Sequence, residues 1–263
     1  MMRLPTGLLA ATAMASVATA APLTLPHLGP SPTLMQQAAD AQSDKNSDDT
    51  DFLFRLGMME GHLIIGHELL RNNQIALAVP HFGHPVRELY DDVGPYLDKH
   101  HFPAFDRQLI TLEAAVTAAP TAKATEDQYQ AMIATLHKAR ELAPASLRAS
   151  VPEMIQICSD TIDAASGEFG ESLQQGKVSA LVEYHDSRGF LAYVAEEVNS
   201  LMASHPDAAS QSMLDRFKTV LAKAQYIVGD LMPAPTPRAS VTDYRAIAAE
   251  AEAIGKPQTT NAQ

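Results

Sequence analysis

Apolar residues recur every three to four positions along most of the chain, and no stretch alternates apolar and polar residues long enough to predict a strand. This spacing predicts helices throughout. The first covers 51–72, capped at Asp49 or Thr50 and stopped by Asn72-Asn73. The second covers 74–98, with a kink or break expected near Gly83–Pro85 because Pro80, Pro85 and Pro95 each lack a backbone donor. Further helices are predicted over 103–118, 126–142, 152–175, 178–203, 207–231 and 240–254. Thr125/Gln128 and Ser240/Asp243 are spaced as capping-box pairs, and Gly176-Lys177 makes a turn. Short connections favour antiparallel neighbours. The fold class is therefore all-α, an up-and-down antiparallel bundle of about seven to eight helices, with a division into two halves around 144–151.

Composition supports this picture. The chain has no Trp and 6% aromatics, and its 46% hydrophobic content is enough for a packed core. The net charge of -12 argues against nucleic acid, which needs clustered positive charge. Cys158 is the single cysteine, so an intrachain disulfide and a Cys-rich zinc site are both excluded; its apolar setting predicts a buried thiol.

The N-terminus reads as a secretory signal over 1–20: Arg3, then a short apolar run, then Ala18-Thr19-Ala20 as the cleavage pattern. Residues 21–49 read as a flexible lead-in and 50–232 as the bundle. Residues 233–263 read as a Pro-rich linker, a terminal helix and a frayed tail. No later apolar run is long enough for a membrane span. The expectation is a periplasmic protein.

Candidate chemistry concentrates in the first helix pair. His81, His84 and Glu88 are spaced i, i+3, i+7, which points three side chains the same way on one helix. If the chain turns near residue 73, His62 stands opposite residue 84, and Met58 or Met59 opposite Glu88. His62, His81, His84 and Glu88 could then converge between the helices, as inward-facing imidazoles and carboxylates do in bundle metal sites. The donor types suit Fe, Zn or Cu. Second choices are Met58, Met59, Glu60, His67, His185 and Asp186. The last two lie in EYHDSRGFLAYVAEE, where Gly189 signals close helix packing.

A structural reading competes. Histidines at a helix interface also serve as plain hydrogen-bond partners, and a break at Pro85 would rotate Glu88 away from His84. The nucleophile elbow, P-loop, dinucleotide fingerprint and zincin motif are all missing, so enzymatic activity has little support. Two functions remain. One is an exported bundle that binds a transition metal for uptake, delivery or buffering, with an uptake-system protein as partner. The other is a metal-free module that binds a partner protein or a small apolar ligand.

Two segments resemble the imelysin-like family, which includes periplasmic iron-uptake proteins of the Efe type. They are HLIIGHELLRNNQIALAVPHFGHPVRELYDDVGPYL (62–97) and QQGKVSALVEYHDSRGFLAYV (174–194), in which Tyr184, Asp186, Phe190, Ala192 and Val194 carry the likeness. The resemblance implies an exported all-α bundle of two related halves with a role in metal acquisition. The family's His-x-x-Glu motif is not seen in the expected central region, FDRQLITLEAAV, so the resemblance bears on the fold more than on the site.

Overall fold

The computed structural model describes residues 32–256, with side chains from Ser47 onward. The expected signal segment at 1–20 and the end of the tail lie outside the described residues. The fold below is that of the unit Gln42–Gln263. No described helix is long and apolar enough to cross a membrane.

The described residues are predominantly helical. Helix α1 is Pro32–Arg71 and α2 is Ile75–His84. A π-helical turn, Pro85–Leu89, leads into α3, Tyr90–Lys99. Then follow α4 Asp106–Ala118, α5 Lys123–Arg140, the short α6 Ala145–Arg148, α7 Val151–Glu171, α8 Leu181–Ser204, α9 Ala208–Val228 and α10 Val241–Gly255. With α2, the π-turn and α3 taken as one kinked rod, eight longer helices accompany the single-turn α6 among the described residues. A two-residue-per-strand hairpin, Leu173–Gln174 with Lys177–Val178, replaces the simple turn expected at 176–177. Gln175 and Gly176 both have positive φ there, which suits a tight hairpin turn.

Three local expectations change. Helix α1 begins at Pro32, inside the segment expected as a lead-in, so Asp49 is not a cap. Asp49 is instead buried and accepts a hydrogen bond from the Tyr96 hydroxyl at 2.6 Å, beside a Phe52–Tyr96 stack. Thr125 is not the cap of α5, because Ala122 holds that position; the Thr125 hydroxyl donates to the Ala119 carbonyl. Pro85 does not break the second helix. Its missing N–H cannot bond the His81 carbonyl, and the chain continues by widening into the π-turn. The α1–α2 turn falls where expected, with Asn73 in the left-handed region that Asn tolerates.

Two apolar cores result. Helices α7 to α10 form a four-helix bundle in which α7 packs on α8 and α10, and α9 closes the ring against both. It encloses Ile155, Cys158, Phe169, Phe190, Phe217 and Tyr244. The second core, from α1 to α5, holds Leu56, Leu63, Phe82, Val93, Leu112 and Met132. Helix α1 serves both: Leu53 belongs to the first core, while Phe52, Leu56 and Leu63 belong to the second.

Helix α10 begins with a full capping box. The Ser240 hydroxyl accepts from the Asp243 N–H, and the Asp243 carboxylate accepts from the Ser240 N–H. Removing it by Ser240→Ala should lower stability by about 1 kcal/mol, read from urea unfolding.

Candidate metal centre

Small residues decide where α1 meets its neighbours. At the α1–α8 crossing Gly61 faces Gly189. A Cβ on Gly189 would collide with the Gly61 carbonyl oxygen and lie 2.8 Å from Ile65 Cγ2. A Cβ on Gly61 would lie 2.8 Å from Phe190 Cδ1. The two backbones therefore touch, and Asp186, one turn from Gly189, reaches α1 with a short side chain. Gly66 does the same for α2: a Cβ there would sit 2.8 Å from Phe82 Cε2. That approach brings His81 and His84 to the same place.

The outcome is a cluster of three imidazoles around one carboxylate. His62 Nδ1 lies 2.6 Å and His81 Nδ1 2.7 Å from Asp186 Oδ1, and His84 Nδ1 lies 3.3 Å from Oδ2. One donor atom from each of the four residues falls within 4.8 Å of all the others. His62, His81 and Asp186 are buried, while the His84 side chain, 16% exposed, is the most exposed member of the cluster. Phe190 closes one side, edge-on to His62 at 4.9 Å between ring centroids.

The electrostatics follow from this burial. Desolvation alone would raise the Asp186 carboxyl. The His62 charge and the hydrogen bonds from His62, His81 and His84 outweigh it and hold the group well below the usual carboxylate range. His81 is pushed down by desolvation, with Asp186 offsetting part of the effect. His84 is also desolvated, but Asp186 and Glu88 win and raise it. Glu168 is pushed up to about 7 by burial and by the charges of Asp186, Glu88 and Glu183. With its imidazoles deprotonated to receive an ion, the cluster would be a donor set of net charge -1, with three nitrogens and a carboxylate. Such a set fits a first-row divalent ion.

The sequence-predicted residues separate cleanly. His62, His81 and His84 come together, and Asp186, a second choice, takes the place expected of Glu88. Glu88 is 55% exposed and reaches only the outer nitrogen of His84, at 3.8 Å. It lies in the π-turn, at the solvent side of the cluster. Among the second choices, Met59 is core and Met58 packs against both cores. Glu60 accepts from His137 at 2.8 Å, and His67 pairs with Glu126 at 2.7 Å. His185 turns the other way, donating from Nε2 to the Leu231 carbonyl at 2.9 Å. Its neighbours tie down the same segment: Tyr184 bonds the Val228 and Asp230 carbonyls, and Arg188 bonds the Gly229 carbonyl and Glu68. Cys158 is fully buried, and desolvation drives its thiol upward, so it is an inert core residue.

Residues 144–259 match the family model of the iron permease-associated 4-helix bundle domain. The matched stretch contains all of α7 to α10, and so supplies Asp186 but none of the three cluster histidines. Among curated proteins and solved structures none matches the chain. The family match associates the C-terminal bundle with iron-permease systems, an iron-related class of helical bundle.

Proposed function

We propose that the protein binds a transition metal ion through His62, His81, His84 and Asp186 and acts in iron uptake, as an exported partner of a permease system. The observation that carries this reading is three histidines from α1 and α2 focused on one buried carboxylate from α8. Here two nitrogens converge on Asp186 Oδ1, His84 Nδ1 lies 3.3 Å from Oδ2, and the buried His81 Nε2 has no hydrogen-bond partner. An ion would accept lone pairs that hydrogen bonds leave unused. The metal is cargo in this reading. The chain's own part is to strip it of water, hold it and release it through the edge at His84.

The family match supports iron as the cargo, and the expected signal segment supports export. The imelysin-like resemblance points to the same biology through a different family. The metal-free alternative calls for an open apolar groove, with these histidines scattered on the surface. A groove of about 530 Å³ among the described residues is lined instead by Glu60, His67, Glu68, Arg71, His137 and Glu196 together with a few apolar residues, and the cluster histidines lie elsewhere.

The test is metal titration of the purified protein with Fe(II), Zn(II) and Cu(II). One equivalent should bind below micromolar. His84→Ala should weaken it by at least about 100-fold, while Glu88→Gln should change it less than about 3-fold, since an exposed carboxylate beyond the donor set contributes little. Absence of binding to a folded protein would overturn the reading.

A further inference from the structure

A groove apart from the metal centre runs between α1, α5 and α8. Glu60, Ile64 and His67 share one face of α1, spaced i, i+4, i+7, and Tyr129, Ile133 and His137 share one face of α5, spaced i, i+4, i+8. Two cross-links fix the register of these faces. His137 Nε2 donates to Glu60 Oε1 at 2.8 Å, and His67 pairs with Glu126 at 2.7 Å. Glu60, His137 and Glu196 line both this groove, about 530 Å³, and a neighbouring one of about 430 Å³, so they stand where the two meet.

That junction carries negative charge that no neighbour matches. The Glu60 side chain is only 6% exposed, yet among the described residues its carboxylate has one hydrogen-bond partner, His137 on Oε1. His137 donates there in either protonation state, so Oε2 is left to accept from something else. Glu196 makes no hydrogen bond or ion pair among the described residues, and burial together with the Glu60 charge pushes its carboxyl up. The guanidinium groups of the groove are placed elsewhere. Arg140 is paired with Glu197 at 2.6 Å. Arg71 lies three turns along α1 from Glu60, about 16 Å by helical rise and beyond a screening length of about 8 Å.

We propose that this junction binds a small organic amine, its ammonium group held between Glu60 and Glu196 and its alkyl chain laid along Ile64, Ile133 and Tyr129. The spacing of the donors dictates the class. Among the described residues only His62, His81, His84 and Asp186 gather three or more ligand atoms within 4.8 Å, so Glu60, His137 and Glu196 stand too far apart for one bare metal ion. An ammonium group reaches further, because each N–H···O contact spans about 2.8 Å against about 2.1 Å for a metal–oxygen bond. The lining also offers what a metal ion has no use for, an apolar wall beside the carboxylates. The inference uses none of the four metal donors and stands whether or not the metal centre fills.

The experiment is calorimetric titration of the full chain with 1,4-diaminobutane at about 0.15 M salt, with Mg(II) as the control of equal charge and 1,4-butanediol as the uncharged one. One equivalent of the diamine should bind saturably, at least about 10-fold tighter than Mg(II), and the diol should not bind. Glu196 is exposed, so Glu196→Gln leaves the fold intact; it should weaken the diamine at least about 10-fold through loss of a charge-assisted hydrogen bond. Glu60→Gln should do the same, its amide oxygen still accepting from His137. Glu250→Gln removes an equal charge on α10, outside the groove, and should bind as the wild type does. His84→Ala should also bind the diamine unchanged, which reads the groove separately from the metal centre. Absence of saturable binding, equal affinity for Mg(II), undiminished binding in Glu196→Gln, or an equal loss in Glu250→Gln would overturn the proposal.

Discussion

Asp186→Asn should weaken metal binding by at least about 100-fold and cost the metal-free protein about 2–3 kcal/mol. The carboxylate is the hub that all three imidazoles share, so its charge cannot be replaced by a neighbour. An amide of the same shape keeps the packing, which separates the charge effect from a cavity effect. The stability difference has a defined pH dependence. The folded pKa of Asp186 lies below the ordinary value of 3.8. The carboxylate's contribution is therefore fully present above that value and is lost as the pH falls below it. Denaturation of the two proteins at neutral pH and at progressively lower pH should show curves that converge under acid. An unchanged metal Kd in Asp186→Asn would remove this residue from the donor set.

Gly189→Val should be more disruptive, although it touches no donor atom. The new side chain meets the Gly61 backbone and Ile65, neither of which can rotate aside as the end of a long side chain could. Helices α1 and α8 must part, at a cost of about 3 kcal/mol or more, and His62 loses its reach to Asp186. Thermal unfolding and metal titration should both register the change. Gly167→Ala makes the matched control. A Cβ there meets nothing within 4 Å and the site lies within α7, so helix propensity predicts a neutral or slightly stabilising effect. Equal behaviour of the two variants would show that the α1–α8 contact does not position the site.

The contrast between Glu88 and Asp186 shows how far the sequence reaches. His62 and His84 each lie 11 residues from position 73, and the turn at Asn73 puts them face to face. Local periodicity and one turn were enough to bring the three histidines together. The fourth member was not local. Asp186 is 124 residues from His62, and its arrival depends on two glycines in different helices meeting backbone to backbone. Gly189 signals close packing in the sequence, but nothing there names Gly61 as its partner. The helices themselves were legible almost throughout, because the 3.6-residue period survives in every long one. The π-turn was not, since Pro85 is compatible with a stop, a kink or a widened turn, and packing between the rods chooses among them. The same limit explains Thr125, whose spacing with Gln128 fits a cap that the preceding turn at Ala119–Ala122 pre-empts.

The cluster draws its imidazoles from one half of the chain and its carboxylate from the other, in a protein whose single cysteine cannot form an internal bridge. An ion held there is a removable staple. It closes a loop of 124 residues between His62 and Asp186, a constraint that for a covalent link of that length removes roughly 5 kcal/mol of unfolded-chain entropy. Loading and unloading the metal then changes how firmly the two halves are fastened. In the proposed metal-carrying role, the load is thereby coupled to how firmly the two halves of the chain are held together, so a full and an empty molecule differ in stiffness as well as in content.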